Sequence, residues 1–194
     1  MYKGNLILAS GSPRRKELLE LTRIPFTTLQ VPIDETFDPQ STVEENLLRI
    51  AEEKARAALQ QHPDETREAT ILSADTAVVY LERPLGKPRD REHAIEMLNL
   101  LEGIQHQVMT AFAILGSDGR LVSDIAVTTV EFLPMSAENI EYYIDTMQPF
   151  DKAGAYGIQD PIMSCFVKKI EGCYYNVVGL PLSRVYATLQ QFSA

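Results

Sequence analysis

Leu6-Ile7-Leu8-Ala9-Ser10-Gly11-Ser12-Pro13-Arg14-Arg15 is the stretch whose reading decides the fold class. Leu6–Ala9 is a short apolar run of strand type, and the chain then turns through Gly11 into a helix start. Ser12 stands where a hydroxyl can cap a helix, and Pro13 suits the first turn because its missing N–H would have no partner there. No capping box accompanies it, since the residue three after Ser12 is Arg15. A strand running straight into a helix is the elementary unit of an α/β protein.

The same alternation continues outward. Val43–Gln61 carries a helical apolar period, and Thr70–Leu81 reads as a central strand. Asp90 to Glu102 predicts a helix opened by Asp90 and stopped by Gly103. Gln107–Leu115 and Leu121–Phe132 predict two long strands joined at Gly116-Ser117-Asp118-Gly119. Ser136–Met147 reads as a helix, Asp151–Gln159 as a glycine-bearing loop, and Pro181–Phe192 as a closing helix. Ser164–Ile170 and Tyr174–Val178 predict a hairpin about Glu171-Gly172. Several strands are sequence neighbours, so a mixed sheet is expected rather than a purely parallel one. The 194 residues suit one large domain or two intimate lobes, with enough chain to bury a core.

Composition restricts the partners. The net charge of −9 argues against general attraction to nucleic acid or to an anionic membrane, so an anionic ligand has to be met by local Lys and Arg. Cys165 and Cys173 are too few for a disulfide scaffold. His62, His93 and His106 are scattered, so no histidine metal site is visible. The opening residues lack the apolar core of a signal peptide and no apolar run nears membrane-spanning length, which points to a cytoplasmic protein.

Five stretches can carry chemistry. Ser10 to Arg15 places two hydroxyls and two guanidinium groups at a helix start, where backbone N–H groups and the helix dipole favour an anion. The alternative is a capped helix with a solvated basic first turn, although arginines there oppose the dipole. Lys54 falls in the middle of the apolar stripe formed by Leu47, Ile50, Ala51, Ala55 and Ala58. It either snorkels to the rim or crosses a wall to reach an anion. Asp75, inside the apolar run Ile71–Val79, needs a cation, hydrogen-bond donors or water; a structural ion pair and a metal-bearing cleft both satisfy that need. Asp34-Glu35 offers a second carboxylate. Gly86-Lys87-Pro88 predicts a tight turn that aims one lysine. In the loop 151–159, small residues allow close backbone approach and Gln159 offers both a donor and an acceptor. Cations and acids without histidine suit phosphoryl chemistry better than acyl transfer or redox work.

At these residues the chain resembles the Maf family of nucleotide pyrophosphatases, related in fold to the inosine triphosphatases. The resemblance runs through Leu8 to Arg15, Asp34-Glu35, Ala51 to Ala55, Ser73-Ala74-Asp75-Thr76, Gly86-Lys87-Pro88, Asp151 to Gln159 and Val178 to Leu182, nearly the whole chain in the family's order. It implies a single domain of elongated mixed α/β fold, flanked by helices, with two lobes around a central cleft. It also implies divalent-metal dependence (Mg2+ or Mn2+) and often a homodimer. The family's catalytic acid falls on Asp75, and its base-selecting positions fall on Arg14, Thr76 and Gln159, with identities similar to the subgroup acting on dTTP and UTP. Ser73 departs from the glycine frequent in the family.

The expected chemistry is metal-assisted attack of water on the α-phosphorus. Glu35 and Asp75 would hold the metal, while Arg14, Arg15, Lys54 and Lys87 neutralise the polyphosphate with a hydrogen bond from Ser10. Asp75 is asked either to ligate metal or to take the water's proton. Two alternatives stand beside this reading: a nucleotide-binding regulator of cell division, and a pyrophosphatase for 7-methyl-GTP.

Overall fold

The computed structural model describes residues 2–192. Its seven strands form one mixed sheet, ordered β2 (Thr27–Leu29), β1 (Asn5–Ala9), β3 (Ala69–Tyr80), β5 (Gln105–Leu115), β6 (Leu121–Phe132) and β7 (Val167–Glu171); β4 (Arg83–Leu85) pairs with β3. β1 runs parallel to both β2 and β3, with Ile7 opposite Ile71 and Leu8 opposite Leu72. The β3–β4 and β6–β7 pairs are antiparallel. The alternation legible at residues 6–15 is therefore present as β1 followed by helix α1 (Pro13–Glu20).

The chain forms two compact units. The first comprises Met1–Asp75, Thr110–Ala126 and Gly179–Ala194, and the second Thr76–Met109 and Val127–Val178. In the first, α2 (Val43–Gln61) is started by a capping box: the Thr42 hydroxyl accepts the Glu45 N–H at 3.2 Å and the Glu45 carboxylate accepts the Thr42 N–H at 2.8 Å. Leu47, Ile50, Ala51, Lys54, Ala55 and Ala58 are all buried on one face of this helix. The Ser73 hydroxyl of β3 donates to the Ala51 carbonyl of α2 at 2.5 Å. Serine at this position therefore bonds the strand to the helix directly, a bond glycine has no side chain to make. Helices α3 (Pro63–Thr66) and α7 (Leu182–Leu189) complete this unit.

In the second unit, α4 (Arg91–Leu101) is capped by Asp90, whose carboxylate accepts the His93 N–H at 2.8 Å. α5 (Ala137–Met147) is capped by Ser136. Phe132, Ile140, Tyr143, Ile144 and Met163 lie in the unit's core. Among the described residues, no helix is long and apolar enough to cross a membrane.

Three expectations are corrected. The hairpin about Glu171-Gly172 does not form. Its first arm pairs instead with β6, Val130 opposite Ile170, while Tyr174–Val178 is a short helix, α6. Those residues have strand propensity, but tertiary bonds override it. Asn176 is buried and its carboxamide donates to the Val108 carbonyl and the Thr128 hydroxyl, both at 2.9 Å; that hydroxyl also accepts the Cys173 N–H. Second, Ser12 occupies the cap position of α1, but its side chain makes no capping bond. Third, Gly86-Lys87-Pro88 is irregular chain with no assigned turn. The reversal lies earlier, at Leu81-Glu82, where both residues are left-handed with φ of 48° and 62°.

Candidate functional site

In the first unit, β1 delivers Ser10 at its C-terminal end and the start of α1 delivers Arg14 and Arg15, both half-buried. The Ser10 Oγ accepts two hydrogen bonds, from the Ser12 N–H at 3.2 Å and from Arg15 Nη1 at 3.3 Å. A hydroxyl has two acceptor positions and one donor, so this arrangement leaves the Ser10 hydrogen to donate outward. Arg15 is fixed at a second point, donating from Nε to the Gly179 carbonyl at 3.0 Å. Burial lowers the Arg15 pKa from its usual value, while the negative charges of Asp75 and Glu35 raise it and Arg14 lowers it again. Arginine remains a cation at neutral pH under such shifts.

Lys54 does not snorkel. The residue is 7% exposed, and its ammonium lies 2.8 Å from Asp75 Oδ1 and 2.8 Å from Glu35 Oε1. Asp75 thus meets the need of a carboxylate in a buried strand with a cation from the neighbouring helix; its side chain is 13% exposed, whereas that of Glu35 is 52% exposed. The adjacent acids divide their tasks. Asp34 accepts the Thr36 N–H at 2.9 Å and the Thr36 hydroxyl at 2.6 Å, which lowers its pKa and folds the loop locally, while Glu35 reaches Lys54.

Asn46 is a positioning residue that sequence reasoning missed. Buried on α2, it accepts the Asp38 N–H at 2.7 Å and donates to the Asp38 carbonyl at 3.0 Å. Arg49 adds a bond to the Thr36 carbonyl at 2.7 Å. These bonds hold the loop that carries Glu35 against α2. The available signal was an amide beside Leu47 in an otherwise apolar stripe.

Two carboxylate oxygens converging on one ammonium are a suitable donor set for a divalent cation. Among the described residues no group of three or more His, Cys, Asp and Glu could hold a metal. Magnesium is commonly bound by only one or two carboxylates, its remaining positions filled by substrate phosphates and water. Glu35 and Asp75 therefore fit a metal that arrives with a polyphosphate better than a resident structural ion.

Thr76, Lys87 and Gln159 belong to the second unit. Thr76 is half-buried on β3, and Lys87 is exposed just after β4. Gln159 is exposed in a turn closed by the Asp160 N–H donating to the Gly157 carbonyl at 3.0 Å. The Gly154 N–H donates to the Gly86 carbonyl at 3.0 Å, joining the loop of Gln159 to the segment of Lys87. Gly154 has φ +67°, and a Cβ there would sit 3.0 Å from both γ-carbons of Val78, so a larger residue would be strained by the backbone and crowded by Val78.

Comparison with known proteins places the chain in a described family. The model of the family described as "Maf-like protein" matches residues 5–192. A protein of Chlorobaculum parvum named dTTP/UTP pyrophosphatase is 55% identical over 185 residues, covering 95% of this chain and 92% of the relative. One of Chlorobaculum tepidum with the same name is also 55% identical over 185 residues, covering 95% and 93%. The solved structure of the Ham1 protein of Staphylococcus aureus resembles this chain with a TM-score of 0.53 at 16% identity, covering 96% of this chain and 98% of that one, a likeness of fold.

Proposed function

Because the chain belongs to the Maf family, we propose that it hydrolyses dTTP and UTP to the monophosphate and pyrophosphate. The observation that carries the reading is the single cluster in which Lys54 bridges Glu35 and Asp75 beside Arg15 and Ser10. A binder alone has little use for a costly half-buried acid at a site for a negatively charged ligand.

Each residue has a separate task. Arg14, Arg15 and Lys54 neutralise phosphate oxygens, and Lys87 takes the same task by family resemblance. Ser10 adds the hydrogen bond for which its remaining donor is free. Glu35 and Asp75 hold Mg2+ or Mn2+. Such an ion, when bound, draws charge from the phosphates and acidifies a coordinated water. Asp75 either ligates that ion or accepts the proton of the attacking water at its free oxygen. Thr76, Arg14 and Gln159 read the base: the carboxamide of Gln159 donates to O4 and accepts from N3–H of uracil or thymine. The reading includes a cytoplasmic location, where triphosphate pools lie, and a homodimer.

The deciding experiment is a panel of UTP, dTTP, CTP, GTP and 7-methyl-GTP with and without Mg2+, scored for pyrophosphate by kcat/KM. UTP and dTTP should lead the panel and require the metal. Asp75→Asn should cut turnover by orders of magnitude in folded protein. Absence of pyrophosphate release from any of the five would refute the assignment, and a lead for 7-methyl-GTP would refute its pyrimidine half.

A further inference from the structure

We propose that Tyr143 and Asp160 form a clamp that positions Gln159 for base recognition, making them specificity-determining positioning residues for this reaction. The inference rests on the reading of Gln159 given above. Gln159 is the third residue of the turn Gly157-Ile158-Gln159-Asp160, and the Tyr143 phenol grips both ends of that turn. It accepts the Gly157 N–H at 2.9 Å and donates to Asp160 Oδ2 at 2.5 Å. The Asp160 N–H returns to the Gly157 carbonyl at 3.0 Å, so the first and fourth residues are tied to each other and to one buried oxygen of α5. A buried side chain on a regular helix has little freedom, and what it holds inherits that rigidity.

The surroundings reinforce the clamp. A Cβ at Gly157 would lie 2.7 Å from both Asp160 carboxylate oxygens, so the close approach of carboxylate to backbone depends on glycine there. Lys152 Nζ stands 3.9 Å from the same Asp160 oxygen and balances its charge. Burial, and then the bond to Asp160, raise the Tyr143 pKa well above the ordinary phenol, so the hydroxyl keeps the proton it donates. On each side of Gln159 the chain is fixed, since Ile158 is buried and Asp160 is held. The exposed glutamine is thus presented from a backbone with little slack. A carboxamide discriminates uracil from cytosine only if its donor is held toward O4, because the rotated amide suits the amino group of cytosine equally well.

The test compares wild type, Gln159→Ala, Tyr143→Phe and Asp160→Ala, which breaks the same bond from its other end. The readout is the ratio of kcat/KM for UTP to that for CTP, a quantity independent of how much of the preparation is folded. A positioning role predicts that Tyr143→Phe and Asp160→Ala lower the ratio about tenfold, through KM for UTP with kcat changed less than about twofold. Gln159→Ala should lower it at least as far. Wild-type ratios in both clamp variants, with a lowered ratio in Gln159→Ala, would overturn the clamp while leaving the base reader in place. A wild-type ratio in Gln159→Ala would overturn the reader and the clamp together.

Discussion

Lys54 is the hub of two ion pairs in different surroundings, and a pair of double-mutant cycles separates them. Replacing it by methionine keeps the buried stem and removes the charge. Removing one partner of a buried pair costs about 3–5 kcal/mol when the other is left unpaired. Asp75 is mostly but not wholly buried at 13% side-chain exposure, and Arg15 still acts on it. We therefore expect Lys54→Met to cost about 2–3 kcal/mol, and Lys54–Asp75 coupling of about 1.5–3 kcal/mol when Lys54→Met is combined with Asp75→Asn. Glu35, at 52% exposure, should couple to Lys54 by less than about 1 kcal/mol. The assay is urea unfolding of the wild type, three single variants and two doubles. Thermal midpoints should follow, Lys54→Met melting about 4–12 °C lower in a chain of this size. Additive effects for Lys54 and Asp75, or a Glu35 coupling equal to that of Asp75, would refute the reasoning.

Burial lowers the His106 pKa from 6.5 to about 4, so the unfolded chain takes up a proton that the folded one refuses. The stability this residue contributes is complete above about pH 6.5 and is lost as pH falls toward about 4, by roughly 3 kcal/mol in all; His106→Phe should flatten urea-unfolding stability across that window. Leu81→Asn with Glu82→Gly supplies residues suited to the left-handed pair in the β3–β4 turn and should raise stability by about 0.5–1 kcal/mol, read as a higher thermal midpoint. Gly154→Ala should cost about 2–3 kcal/mol from its backbone angle and its collision with Val78. In Gly154→Ala/Val78→Ala the loss should be smaller than the two single losses added, measured by denaturant midpoint.

Much of the first unit was legible because its signals are local. The 3.6-residue period of α2 placed Lys54 on the buried face, and the apolar run around Asp75 announced a carboxylate in need of a partner. That the partner is Lys54, and that Glu35 rather than Asp34 joins it, depends on how a loop packs on a helix, which no local pattern encodes. Asn46 was passed over for the same reason. α6 was misread because Tyr174, Tyr175, Val177 and Val178 favour strands, whereas Asn176 finds its partners on β5 and β6. The turn at Leu81-Glu82 contains none of the glycine or asparagine that marks such reversals, so the reversal was placed at Gly86 instead.

The bond from Arg15 to the Gly179 carbonyl joins positions 164 residues apart. During translation at about 5–20 residues per second, roughly 8–33 s separate the two ends of that bond. Ser10, Lys54 and Asp75 are all synthesised well before Arg15 acquires its second anchor. A nascent chain stopped short of Gly179 would carry nearly every group of the cluster and still lack the carbonyl that takes the Arg15 Nε–H, so that anchor is acquired only as synthesis nears its close.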